Sequence, residues 1–167
     1  LVDIKQVASN LGCVVLLVLL QPITELSYMP AFVWLMQHPV LNLSQWPIWL
    51  QYILSLVILD FTIYCMHRLQ HAVPVLWATH APHHQATQMN LSVALRQSTL
   101  GFWFIWLAAV PLLVLNFNRE VIVITLFLHR CYDSLVHSQT PFSFSKLELI
   151  FTSPSLHRVH HGYEELY

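Results

Sequence analysis

The chain has 167 residues, 56% of them hydrophobic and only 9% charged, with a net charge of −1. A soluble domain carries about 25% charged residues, so this chain lacks the polar cover for a water-facing surface and reads as an integral membrane protein. With no basic patch and no charge run, nucleic-acid binding is excluded.

Four apolar stretches follow in chain order. The first, about residues 7–20, is short for a span, which needs roughly 20 residues. It has no small-residue cleavage site and is read as a membrane helix rather than a signal peptide. Residues 23–43 are aromatic and mixed, with Pro30 and Pro39, and are expected to form an interfacial helix or loop with Trp34 and Trp46 as anchors. Further spans are expected at about 47–66, 100–117 and 121–137, the last two joined by a turn over residues 116–120. The whole chain is read as one membrane domain, 1–167, with its catalytic core at about 60–167. It starts at Leu1 rather than Met and ends at Tyr167, and is expected to be part of a longer protein. Cys13, Cys65 and Cys131 are scattered, form no CxxC pair and read as apolar filler.

Eight histidines fall into three clusters: His67 and His71; His80, His83 and His84; His157, His160 and His161. Spacings of three and four residues put side chains on one helix face. The span order brings all three clusters to one side. Lys5, Arg68, Arg96, Lys146 and Arg158 fall on that side and Arg119 on the other, so the histidine side is expected to be cytoplasmic. His38 is placed on the opposite side, as a lone polar residue. In the fourth span His129, Arg130 and Asp133 interrupt the apolar run. Ionisable groups there face the bundle interior and are paired or functional. Asp133 shares a face with His137, four residues on, and can also pair with Arg130. His129 is either a satisfied polar residue or support for a ligand.

Imidazole is a favoured ligand for zinc, iron and copper, and one ion seldom uses more than four protein ligands. Eight clustered imidazoles therefore suggest two ions. The HExxH pattern of zinc proteases is absent. Haem ligation needs single opposed histidines. A non-catalytic metal-binding or metal-transport protein is the rival reading, but transport ligands would line a path through the membrane rather than gather at one end. Two irons in a neutral imidazole cage beside lipid suit dioxygen activation and attack on an unactivated C–H bond. Trp77, Asn90 and Arg96 are candidates for the substrate side or for support of the ligands, with packing or interfacial anchoring as the alternative.

The pattern resembles the fatty acid hydroxylase/sterol desaturase superfamily of membrane di-iron enzymes. The resemblance runs from Asp60 and Tyr64 into His67 and Arg68, through Leu76, Trp77 and His80, and over both triplets to Gly162. Within that superfamily, residues 90–98 and 147–157 resemble alkylglycerol monooxygenase-like bacterial members. The resemblance implies an all-α bundle of about four transmembrane helices with a cytosolic helical cap. It implies two iron ions, which zinc can replace on purification, held by the eight clustered histidines, with His137 as a further ligand. It implies O2 as co-substrate, a membrane lipid (an ether lipid, sterol or fatty acyl chain) as substrate, and a separate reductant, either a reduced pterin or a redox protein. Some relatives carry a histidine where this chain has Asp133, which leaves Asp133 as a carboxylate ligand or as a base behind His137.

Overall fold

The structure, a computed structural model, describes residues 3–162; positions 163–167 of the expected catalytic core lie outside the described residues. Six α-helices are found and no strand among the described residues. They are α1 (Ile4–Gln37), α2 (Ile48–Ala72), α3 (Pro74–His84), α4 (Gly101–Val114), α5 (Arg119–Val136) and α6 (Pro154–His160). Short 3-10 turns at Leu43–Gln45, Leu91–Leu95 and Ser145–Leu149 link them.

Helices α1 and α2 are long and apolar enough to cross a membrane. At 1.5 Å per residue they run about 51 and about 37 Å, beyond the roughly 30 Å hydrocarbon core. The expectation of an interfacial segment at 23–43 is corrected here: α1 runs unbroken through Pro22 and Pro30 to Gln37. A helix in lipid that breaks exposes backbone groups with no water to satisfy them, so it continues through proline where hydroxyls and neighbours help. Trp34 lies within this helix and stacks on His38, its ring centroid 4.6 Å away.

The other two apolar stretches are shorter. α4 and α5 are about 21 and about 27 Å long, and α4 stops at Val114, three residues before the expected end of its span. Their connection, with Asn116 at φ 52°, lies beside the end of α1: Val40 N donates to the Val114 carbonyl (2.9 Å) and Leu43 N to the Leu115 carbonyl (3.0 Å). This is the end of the bundle away from the histidines, and His38 is there.

At that far end α2, α4 and α5 bury Leu59, Ala108, Leu112, Phe117 and Val121 in a continuous apolar core. Polar groups stitch the same helices together. Ser55 and Thr125 share a hydrogen bond of 2.7 Å across α2 and α5. Gln51 is 1% exposed; its Nε2 donates to the carbonyls of Ser44 and Trp46, and its Oε1 accepts from Asn118 N. At the opposite end the chain reverses at Val73, which accounts for α3 folding back along α2. Pro74 occupies the first turn of α3, where its missing N–H costs nothing.

Candidate metal centre

The side chains of nine histidines meet in two adjoining groups between α2, α3, α5 and α6. His67 and His71 from α2, His80 and His84 from α3, and His160 from α6 form the first, each offering a ligand atom within 4.8 Å of the others. His83 from α3, His137 at the end of α5, and His157 and His161 from α6 form the second under the same limit. Helix geometry explains the division. Residues four apart share a face, so His80 and His84 act together, as do His157 and His161. The remaining member of each triplet is rotated away and enters the other group. Each triplet thus splits two to one, in opposite senses. The groups touch where His84 stacks on His161, ring centroids 4.2 Å apart and nearly parallel at 13°.

Helix α6 has only seven residues and is held from outside. Ser153 caps it, accepting from Leu156 N at 3.1 Å, and donates to Glu148, which also accepts from Ser143 Oγ. Arg158 Nη1 donates to the Thr140 carbonyl at 2.6 Å. Tyr132 Oη donates to the Thr152 carbonyl at 2.6 Å.

The second group shows why a cation fits. His83 Nδ1 lies 3.2 Å from the Arg96 carbonyl and His137 Nδ1 lies 2.6 Å from the Asp133 carbonyl. A carbonyl can only accept, so both Nδ1 atoms carry the proton and both Nε2 atoms present lone pairs. Those two Nε2 atoms are 3.0 Å apart, and His157 Nε2 is 3.0 Å from that of His137. Protonating the rings is opposed by burial. Burial first, then the neighbouring imidazoles, holds His83 well below its ordinary value and His157 at about 2. His161 is likewise pushed down, and among the described residues both its buried ring nitrogens lack a hydrogen-bond partner. Facing lone pairs without protons are relieved by a shared ion, and imidazole nitrogens bound at about 2.0–2.1 Å to one ion lie roughly 3–3.5 Å apart.

The first group shows the same close approach of ring nitrogens, with more access to solvent. His67 Nε2 and His160 Nε2 are 2.9 Å apart, and His80 Nε2 and His84 Nε2 are 3.2 Å apart. Burial, reinforced by neighbouring rings, lowers His80 to about 2, His84 to about 3 and His160 to about 4. His80 is buried, whereas His71 and His160 are exposed. Trp77 lies against this group, its ring 5.2 Å from His71 and 5.3 Å from His84.

The other candidate residues divide. Asp133 lies outside both groups; its carboxylate accepts from Arg130 Nη1 at 2.8 Å, a partner three residues away that the helix supplies. It still stands behind a ligand, with Oδ1 3.6 Å from His137 Nδ1. His129 also joins neither group and faces Asp60 across helices at 3.9 Å. Asn90 caps the 3-10 turn Leu91–Leu95 by accepting from Ser92 N at 3.0 Å, a structural task away from the imidazoles. Arg96 supports the site through its carbonyl. Sequence reading missed Gln97, whose side-chain amide lies 3.4 Å from His83 Nδ1, and no spacing signal marks it.

The sequence pattern of the fatty acid hydroxylase family matches residues 52–167. The chain is 40% identical over 103 residues to alkylglycerol monooxygenase of Homo sapiens, covering 62% of this chain and 23% of that protein. It is 34% identical over 124 residues to ornithine lipid hydroxylase OlsE of Rhizobium tropici, covering 71% of this chain and 36% of that protein. The chain therefore spans about a quarter to about a third of these curated relatives. No solved structure matches it. The match covers both histidine triplets and the helices that carry all nine imidazoles, and with it the chain belongs to the fatty acid hydroxylase family.

Proposed function

We propose that this chain forms the catalytic core of a membrane-bound, dioxygen-dependent di-iron oxygenase that hydroxylates or desaturates a lipid. The observation that carries the reading is the pair of adjoining imidazole groups whose ring nitrogens converge, with the Nε2 lone pairs of His83 and His137 facing each other. His67, His71, His80, His84 and His160 would hold one ion; His83, His137, His157 and His161 would hold the other. Bound iron would supply dioxygen activation and removal of a hydrogen atom from an unactivated C–H bond.

The protein's own residues keep the rings neutral and aimed. The carbonyls of Arg96 and Asp133 fix the tautomers of His83 and His137. The Arg130–Asp133 pair neutralises its own charges beside the cage. The Trp77 ring covers one edge of the five-histidine group. No side chain is required as a nucleophile. The relatives' names point to an alkylglycerol ether lipid or an ornithine lipid as the substrate class. Electrons would come from a separate donor, a reduced pterin or a redox protein.

In the membrane, α1 and α2 would cross fully, with α4 and α5 completing a four-helix layout. α3 and α6 would then form the cap, on the cytoplasmic side with Lys5, Arg68, Arg96, Lys146 and Arg158.

Full-length protein in membranes, supplied with candidate lipids, reductant and 18O-labelled dioxygen, tests the reading by mass spectrometry of the lipid. A hydroxylated product carries the label, while a desaturated one is lighter by two hydrogens. Both should disappear without reductant. Two metal ions per chain are expected in the active protein. Activity retained with one ion, or an unchanged lipid pool in every condition, would overturn it.

A further inference from the structure

The two imidazole groups differ in how completely they are set in advance. Three of the four members of the smaller group are nearly inaccessible: His83 is 3% exposed, His137 1% and His161 6%. Two of them have their protons placed by backbone carbonyls, which cannot reorient without moving the chain. The five-histidine group draws on exposed His71 and His160.

Arg96 accounts for much of this difference. Its carbonyl accepts from His83 Nδ1. Its Nε donates to the Pro82 carbonyl at 2.6 Å, immediately before His83, and its Nη2 donates to Gln85 Oε1 at 3.2 Å, two residues after it. Its Nη1 reaches α1, donating to Ser9 Oγ at 2.9 Å and to Asn10 Oδ1 at 3.2 Å. Asn10 is wholly buried and donates in turn to Ser92 Oγ at 2.9 Å. One guanidinium therefore clamps the end of α3 against a membrane helix, with His83 inside the clamp.

We propose that the centre is unequal: the four-histidine site binds its ion first and retains it, the five-histidine site binds second and exchanges its ion, and Arg96 is the positioning residue that sets the first site. The proposal rests on the two-metal reading above. A cage arranged before binding loses less conformational entropy on taking up its ion, and exposed ligands let water and chelators displace them one at a time. Changes in groups that orient metal ligands typically cost 10–100-fold in affinity.

The test is titration of metal-free full-length protein with Co2+, followed by its absorption spectrum against a competing chelator. Two steps are expected, with dissociation constants at least about tenfold apart. His157→Ala should remove the tight step and His71→Ala the weak one. Arg96→Gln should weaken the tight step about 10–100-fold and leave the weak step in place, with Arg96→Lys recovering part of the loss. Two equal sites, the opposite assignment in the histidine variants, or an Arg96→Gln effect shared equally by both steps would overturn the proposal while leaving two metals in place. Protein that takes up no metal overturns both it and the function on which it rests. Should Arg96→Gln give no folded protein, the histidine variants still decide the order.

Discussion

At the far end of the bundle, Leu59, Leu112 and Val121 are completely buried against one another, and the Ser55–Thr125 bond crosses from α2 to α5. At the histidine end, the side chains that meet between α2, α3, α5 and α6 are imidazoles, and the Nε2 lone pairs of His83 and His137 face each other. The first end is held by packing that needs nothing from outside. The second brings ring nitrogens together where a core would have apolar side chains, and under the proposed function bound ions would add cohesion there, part of their binding energy serving as folding energy. On that reading the molecule is a stable half joined to a half that metal would strengthen.

Metal removal is the broadest way to break this comparison. After chelation the amides of α3 and α6 should lose part of their hydrogen-exchange protection, while those of α4 and the first half of α2 keep theirs. Loss spread evenly over the bundle, or none anywhere, would show that the halves are not distinct. Single substitutions should separate in the same way. His137→Ala should abolish turnover and lower metal content, with the far end still folded. Leu112→Ala should do the reverse, costing about 2–5 kcal/mol of stability while the folded fraction keeps its metal. Melting and metal analysis of the two variants side by side check this crossing pattern.

Acid offers a sharper version. In the metal-free protein burial holds His84 at about 3 and His160 at about 4, against an ordinary value of 6.5. The folded state binds fewer protons than the unfolded one below 6.5, so this part of the stability is complete above 6.5 and lost as pH falls from that value to about 3. Protection of α3 and α6 should fall over that window, ahead of the far end; a rise would contradict the sign. Smaller again is Asp133→Asn, which keeps the Asp133 carbonyl on His137 and removes the carboxylate beside it. A loss of about 10–100-fold in metal affinity is expected, and unchanged affinity would reduce Asp133 to a partner for Arg130. His38→Ala, at the far end and with its ring hydrogen-bonded to Trp34 of its own helix, should shift stability by no more than about 0.5 kcal/mol and leave turnover unchanged.

Of the two halves, the histidine end is the more legible in the amino-acid sequence. Spacings of three and four residues and the alternation of apolar stretches bring His67, His80 and His157 to one end. The division into sites is less so. Consecutive His83 and His84 must point about 100° apart on a helix, but which of them meets α6 depends on the reversal at Val73. At the other half the expected interfacial segment gives way to a helix that continues through Pro22 and Pro30, because proline ends helices in water and is tolerated within them in lipid. The partnership of His129 with Asp60 joins residues on two helices and has no local signature.

The sequence by itself determined the chemistry on offer: eight clustered imidazoles, an apolar chain too poor in charge for water, and helical spacings that place the clusters at one end. These properties are legible because they depend on residue type and on neighbours within one or two turns. Only the tertiary structure decided how each triplet divides between two sites, that Asp133 turns to Arg130 rather than joining a ligand group, and that the carbonyls of Arg96 and Asp133 set the tautomers of His83 and His137. Those outcomes hang on how helices distant in sequence pack and on backbone atoms, which every residue carries alike.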